Sequence, residues 1–530
     1  MRSRGWYDGS ADFEIDSTKK PALVSMKVTR GTRYVLARVE VEGLPPEAAS
    51  LGTADGLASL GVPPASPALA EGVLAAEKKL LLELAARGYP YAILARHDAR
   101  IDRRAHTMEL VLRVDAGPLT RFGEVTVEGL KDVDRSYVLG RMKFEKGQVF
   151  APDKVDESRK ALFASGVFSG VGITWGTRAD VGPDGEAPIR VSVTEGKFHS
   201  IGAGLKYSSA DGFGGTAFWE DRNLLGGAER LRAEIEVTQL DSIGGVSFRQ
   251  PDFLSRDQSL LVDAKADVDK PPAYDRYALS ASAGLERMFA PHLVGTGGLT
   301  IEQSDVNSAA DADGTKRFTL IGLPLGLRYD GSNSLLDPSR GHRTLLSVTP
   351  WASVLGDTVQ ILVMRGTESL YLPLDAKDRL VWATRFTLGS VIGAQRVDIP
   401  ADKRMYAGGG DSVRGYEYQF VGPLRDIDLT ANPPTGKPDW KPEGGRSLLQ
   451  SGTELRWKVT ETIGLVPFVE GAGVYEASYP DFGTTYRWAA GLGLRYFTVA
   501  GPIRLDLGFP LNPRQSDSIF QVYISLGQAF

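Results

Sequence analysis

From residue 197 to residue 530 the chain alternates apolar and polar side chains with period two, and no other feature limits its possible folds as strongly. Leu231, Ala233, Ile235 and Val237 alternate with Arg230, Arg232, Glu234 and Glu236. Leu260, Val262, Ala264, Ala266 and Val268 alternate with Leu261, Asp263, Lys265, Asp267 and Asp269. Trp488, Ala490, Leu492, Leu494 and Tyr496 do the same with Arg487, Ala489, Gly491, Gly493 and Arg495. Period two belongs to strands, whose successive side chains point to opposite faces. A soluble sandwich alternates too, but its strands average ~5–6 residues. Here the runs reach about ten, the length a tilted strand needs to cross a hydrocarbon layer. Sixteen strands would leave about 21 residues for each strand with its connection, an ordinary value for such a barrel. Residues 197–530 are therefore predicted to form an all-β transmembrane antiparallel barrel of about 16 strands. Tyr207, Trp351, Tyr371, Trp457 and Tyr496, near strand ends, are predicted to form interfacial girdles.

Composition excludes several classes. No apolar run approaches the ~20 residues that a membrane helix needs. The 61 Lys and Arg against 66 Asp and Glu leave a net charge of -5, with no footprint for nucleic acid. Cysteine is absent, which removes disulfides, thiolate metal sites and cysteine nucleophiles. The five histidines are too scattered for a metal site, so neither a metal nor a cofactor is expected. Gly408-Gly409-Gly410 is followed by Asp411 rather than by Gly-Lys-Ser/Thr, so it is not a phosphate loop. Asp311-Ala312-Asp313-Gly314 opens like a calcium loop, but Gly322 stands where its bidentate Glu belongs, and it reads as an acidic turn. No enzymatic activity is predicted.

The first 196 residues repeat with a period of roughly 80. Arg4-Gly5-Trp6-Tyr7, Arg87-Gly88-Tyr89-Pro90-Tyr91 and Ser165-Gly166-Val167-Phe168 each lead into an alternating strand that ends at Gly31, Gly117 or Gly196. The two complete copies open on Val39–Leu44 and Val125–Leu130, and amphipathic helical patterns follow at 68–86 and 153–165. The predicted module is β-α-α-β-β, at 33–117 and 118–196. Residues 1–32 match only the closing hairpin of a third copy, so a signal sequence and half a module are expected upstream of residue 1. This order, with its Gly-Tyr/Phe corner, resembles the POTRA domain, an α+β periplasmic module that binds chains or partners by edge-strand addition.

The barrel segment carries a second set of signals. Val413-Arg414-Gly415-Tyr416 follows Gly408-Gly409-Gly410 inside a long predicted loop, 389–451. Glu454, among lipid-facing Leu455, Trp457 and Val459, points into the lumen by parity, and Glu470 can do so on the next strand. Arg504 and Asp506, in Gly501-Pro502-Ile503-Arg504-Leu505-Asp506-Leu507-Gly508, also face inward as a possible lumen brace. Phe520, Val522, Ile524, Leu526 and Phe530 are placed on one face of a last strand, 520–530. Gly202 and Gly204 share a face of the first strand, 199–207, and weaken its packing.

Together these features resemble the Omp85 superfamily. The resemblance covers residues 4–530, and Phe218–Gly227 and Gly527–Phe530 are most like its TamA-type members. It implies that the sixth outer loop folds back into the lumen, with Arg414 meeting Glu454 and Glu470. The family usually carries Asp where Glu470 stands. It also implies that an aromatic last residue, here Phe530, marks the barrel for insertion. The expected function is an outer-membrane insertase that assembles autotransporters and other outer-membrane proteins through a lateral seam. The expected partners are a TamB-like inner-membrane-anchored periplasmic protein, those clients and outer-membrane lipids, with the barrel in the outer membrane and the POTRA modules in the periplasm. A two-partner secretion exporter, threading an unfolded chain through the lumen, is the competing reading, and a passive pore is a third.

Overall fold

The computed structural model of the chain describes residues 2–530 apart from 17, 19, 20, 22, 209–211, 312, 313, 357, 431–436 and 500. Ala312 and Asp313 of the acidic turn thus lie outside the described residues. The chain divides at Lys197/Phe198 into two compact units.

The first unit begins with a hairpin, Ser10–Asp16 against Leu23–Thr29, that sets Phe13 opposite Met26 and Ile15 opposite Val24 on an exposed face. Two β-α-α-β-β modules follow. In the first of them the last strand, Thr107–Asp115, is central, parallel to Val35–Glu42 and antiparallel to Ile93–Asp102. Helix Ala70–Ala86 turns Ala76, Leu80 and Leu84, spaced by four, onto that sheet's core with Leu36, Leu110 and Leu112. The next module repeats the order, with Glu186–Glu195 central between Arg121–Glu128 and Phe168–Trp175. Its core stacks Phe122 on Phe144 with ring centroids 3.9 Å apart. Burial alone would raise the Glu195 carboxyl, but N–H groups of Lys131, Val133 and Asp132 donate to it and bring its pKa below the usual carboxylate range.

The second unit is a closed antiparallel barrel. Among the described residues it has seventeen strand segments, from His199–Ser208 to Gln521–Leu526, which together close the ring. Thr315–Gly322 and Leu325–Asp330 both pair with Leu293–Ser308 and Gly341–Gly356. They are halves of one transit broken at Leu323-Pro324, where proline has no N–H for the ladder. The wall therefore makes sixteen crossings. Outward apolar side chains such as Ile235, Leu279, Leu492 and Ile503 are exposed, as lipid-facing residues are in the absence of lipid.

Several sequence expectations are corrected. The last strand ends at Leu526. Gly527 takes φ +92° and turns the chain inward, so Phe530 leaves the lipid face and packs against Tyr371, Val381 and Ala383 in the lumen. Tyr371 is itself buried there, and Trp351 stands under the Lys403 ammonium at 4.7 Å, so neither belongs to a girdle. Parity, not nearness to a strand end, decides where an aromatic points. The loop predicted at 389–451 is shorter, because Gly389 and Ser390 still pair with Leu448 and Ser447 in the ladder. It runs from 393 to 446. Nor does Gly202 leave a gap, since the Phe218 ring lies where its side chain would be, with the Arg232 guanidinium over that ring at 4.0 Å.

Candidate lumenal clamp

The loop 393–446 folds into the barrel. Met405, Ala407, Val413, Tyr416 and Val421 form one buried core with wall residues Leu320, Ile361, Leu448, Val474 and Ala489. A loop that buries side chains in this way needs its backbone and charges satisfied there.

Three wall strands supply the charges; the first two are neighbours, and Arg487–Thr498 stands between the second and the third. On Ser447–Lys458, Ile463–Tyr475 and Gly501–Pro510, the outward Leu455, Val469, Leu505 and Leu507 are exposed, so parity turns Glu454, Glu470 and Asp506 inward, where all three are buried. Arg414 Nη2 lies 2.6 Å from Glu454 Oε1 and 2.6 Å from Glu470 Oε1, and Nη1 lies 2.8 Å from Asp506 Oδ2. Its Nε also donates to Glu470 Oε1 at 3.1 Å, and its backbone N–H to Glu470 Oε2 at 2.8 Å. The longer side chain of Glu470 therefore fits, one oxygen on the guanidinium and the other on the loop backbone. The guanidinium carbon stands 3.5 Å over the Phe468 ring.

Three buried carboxylates around one cation would leave net negative charge in a dry site. Arg456 and Arg495 balance it. Arg456 Nε donates to Glu454 Oε2 at 2.9 Å, and Arg495 is hydrogen-bonded to Asp506 and 3.8 Å from Glu454. Three guanidiniums thus meet three carboxylates, the condition under which a buried ionic cluster is tolerated.

Backbone fit completes the clamp. A Cβ on Gly508 would come within 2.7 Å of Arg414 C and Gly415 N, so the loop lies directly on a bare stretch of wall. Gly415, at φ +113°, makes the turn that no side chain would permit. The Tyr523 hydroxyl, on the closing strand, accepts from Gly415 N–H at 3.2 Å and donates to the Tyr416 carbonyl at 2.6 Å. Tyr416 in turn donates to Asn512 Oδ1 at 3.1 Å.

Of the residues singled out in the sequence, Val413, Arg414, Gly415, Tyr416, Glu454, Glu470 and Asp506 come together. Arg504 is a separate tie, at 2.7 Å from Asp411 of the loop and 4.0 Å from Asp506. Gly202 and Gly204 lie on the first strand, away from this cluster, and Phe520 is exposed just before the closing strand. Arg456, Arg495 and Tyr523 were not anticipated, although Arg495 and Tyr523 sit on the polar parity of strands whose alternation was plain. A second anchor was invisible in sequence. Lys403 contacts Glu302 at 2.9 Å and Asp402 at 3.0 Å, while Arg276 lies 3.2 Å from both Glu302 and Asp402. Among the described residues, no group of three or more His, Asp or Glu side chains is placed to hold a metal.

Comparison with known proteins bears on both units. The Omp85 superfamily domain model matches residues 223–530, and the POTRA model, surface antigen variable number repeat, matches 120–196. All of the chain aligns at 21% identity with outer membrane protein assembly factor BamA of Neisseria meningitidis, over 71% of that protein's length. With the protein of the same name from Nitratidesulfovibrio vulgaris the identity is 22%, over 98% of this chain and 65% of that one. Among solved structures, BamA from Haemophilus ducreyi lacking POTRA domains 1–3 superposes with a TM-score of 0.79 at 18% identity, covering 93% of this chain and 99% of the other. CdiB from Acinetobacter baumannii gives 0.50 at 13% identity, covering 93% and 90%.

Proposed function

The chain belongs to the Omp85 superfamily, and from that membership we propose that it is an outer-membrane protein assembly factor working through the seam between its first and last barrel strands. The barrel lies in the outer membrane, with the POTRA modules in the periplasm. The observation that carries the proposal is the seam itself. The closing strand has only six residues, against ten in the first strand. Outward Ile201 and Leu205 on the first strand are 82% and 96% exposed, whereas Val522 and Ile524 on the last are 43% and 39%. In a fully paired sheet, lateral neighbours cover part of each side chain. The first strand thus has weak lateral cover, and once the short closing strand parts from it, its backbone N–H and C=O groups can template an incoming strand by hydrogen bonds, with nothing hydrolysed.

The test uses the absence of cysteine. One cysteine is placed in His199–Gly204 and one in Gln521–Leu526, and client insertion is measured with the pair oxidised and reduced. Locking the seam is expected to stop insertion and reduction to restore it. Insertion that continues unchanged in the locked barrel would refute the mechanism.

We further propose that autotransporters are among the clients and that a TamB-like periplasmic protein docks on an exposed POTRA edge such as Ile93–Asp102. The signatures Phe218–Gly227 and Gly527–Phe530 support this reading, while both curated relatives are named BamA. Capture of such a partner by the chain, and its loss when a proline interrupts Ile93–Asp102, is the expected result; no capture would leave the BamA-type assignment. An exporter would need the lumen clear. Here the loop is held there by the clamp and the Lys403 anchor, which favours insertion at the wall.

A further inference from the structure

Beside the clamp, the inserted loop and the strands Gln360–Pro373 and Leu380–Ile392 line a half-open lumenal cavity of about 490 Å³. Two arginines on its wall lack what the clamp arginines have. Among the described residues, no carboxylate lies within 4.0 Å of Arg365 or Arg385. The Arg365 guanidinium reaches the Met405 thioether sulfur at 4.0 Å. Arg385 makes two long hydrogen bonds, to the Ala529 carbonyl at 3.4 Å and the Ser412 carbonyl at 3.3 Å, and its Nε is buried without a partner. The carboxylate that does line the cavity, Asp411, is committed to Arg504 at 2.7 Å. Arg404, a third cation on the wall, is paired with Asp311 at 2.8 Å.

We propose that this cavity is a phosphate-binding site, with Arg365 and Arg385 as the groups that hold the phosphate. Arg365 is exposed to the cavity and Arg385 is half-buried, neither has a carboxylate within 4.0 Å, and among the described residues most of their N–H donors have no acceptor. An oxyanion removes both deficits, because its several oxygens can accept from two forks at once. Thr367 and Thr387, cross-strand partners whose hydroxyls are 3.1 Å apart, stand between the two arginines in the ladder and add polar lining. The volume exceeds that of a bare ion, so the phosphate is either free or borne on the head group of a lipid. Met405 and Ser412 belong to the inserted loop, so an occupied site ties that loop to the wall at a point separate from the clamp.

The full chain, folded in a phosphate-free non-ionic detergent, is titrated calorimetrically with inorganic phosphate, with glycerol 1-phosphate as a head-group probe, and with chloride at matched ionic strength. Saturable binding of a phosphate probe is expected, weakened at least tenfold in Arg365→Gln and in Arg385→Gln and unchanged in Arg317→Gln, an exposed ion pair elsewhere. Tighter binding of glycerol 1-phosphate assigns the lipid source, and equal or weaker binding assigns free phosphate. Heat-modifiable gel mobility verifies that each variant is folded. If a glutamine variant fails to fold, Arg365→Lys keeps the charge without the fork and is expected to weaken binding several-fold. Non-saturable binding, binding matched by chloride, or binding indifferent to these substitutions overturns the proposal.

Discussion

A guanidinium removed from water is stable only where its charge and its N–H donors are both answered, and Arg414 meets that condition with three carboxylates and an aromatic face. Removing it leaves Glu454, Glu470 and Asp506 buried against two arginines instead of three. Breaking such a cluster costs about 3–5 kcal/mol. Arg414→Ala is therefore expected to free the loop while the barrel, whose ladder does not involve this side chain, stays folded. Limited proteolysis checks it: cleavage within 393–446 should rise with heat-modifiable mobility retained, and wild-type protection of the loop would contradict the clamp. Residue-level reasoning from sequence reached Arg414, Glu454 and Glu470 because a motif and strand parity converge on them. It missed Lys403 and Glu302, 101 positions apart, because nothing local couples a loop lysine to a particular wall strand.

At the scale of elements, the POTRA modules show how a small contact links repeats. Arg178 of one module lies 2.7 Å from Asp115 of the other, and the Tyr91 hydroxyl donates to the Gly176 carbonyl at 2.6 Å. Hydrogen bonds from Arg178 and from the Gly117 N–H hold the Asp115 carboxyl below the usual aspartate range, despite some desolvation. A depressed carboxyl contributes stability above its unfolded pKa, about 3.9, and loses that contribution as the pH falls through its folded value. The link is thus expected to be intact at neutral pH and to loosen below about pH 4. NMR titration of the Asp115 carboxyl together with small-angle scattering of residues 1–197 would check this. An unchanged scattering profile across the transition would mean that the ion pair does not set module orientation. Sequence revealed the modules because their helix and strand periods differ, but Asp115 ends a strand of one module and Arg178 opens a short helical turn of the other, and no period couples the two.

For the barrel as a whole, loop and seam are one system. Tyr523 belongs to the closing strand yet holds Gly415 and Tyr416 of the clamp, so order in the loop supports order at the edge that must open. Tyr523→Phe keeps the ring and removes both hydrogen bonds, leaving the Tyr416 carbonyl without that donor, at a cost of about 1–3 kcal/mol. Hydrogen exchange is expected to quicken together in 413–416 and in Gln521–Leu526. Faster exchange in the loop alone would show that the two are uncoupled. What the sequence by itself determined is the wall and its sidedness, because an alternation sustained over so many strands has only one way to keep both lipid and lumen satisfied. It also determined the module order and the cations and carboxylates available to the lumen. Only the tertiary structure decided which of those charges meet, that Phe530 turns inward after Gly527, that Phe218 covers Gly202, and that Arg365 and Arg385 are left facing a cavity. Closing the ring and inserting the loop bring together side chains that are distant in sequence, and those pairings are fixed by barrel register and loop path, neither of which has a local signature.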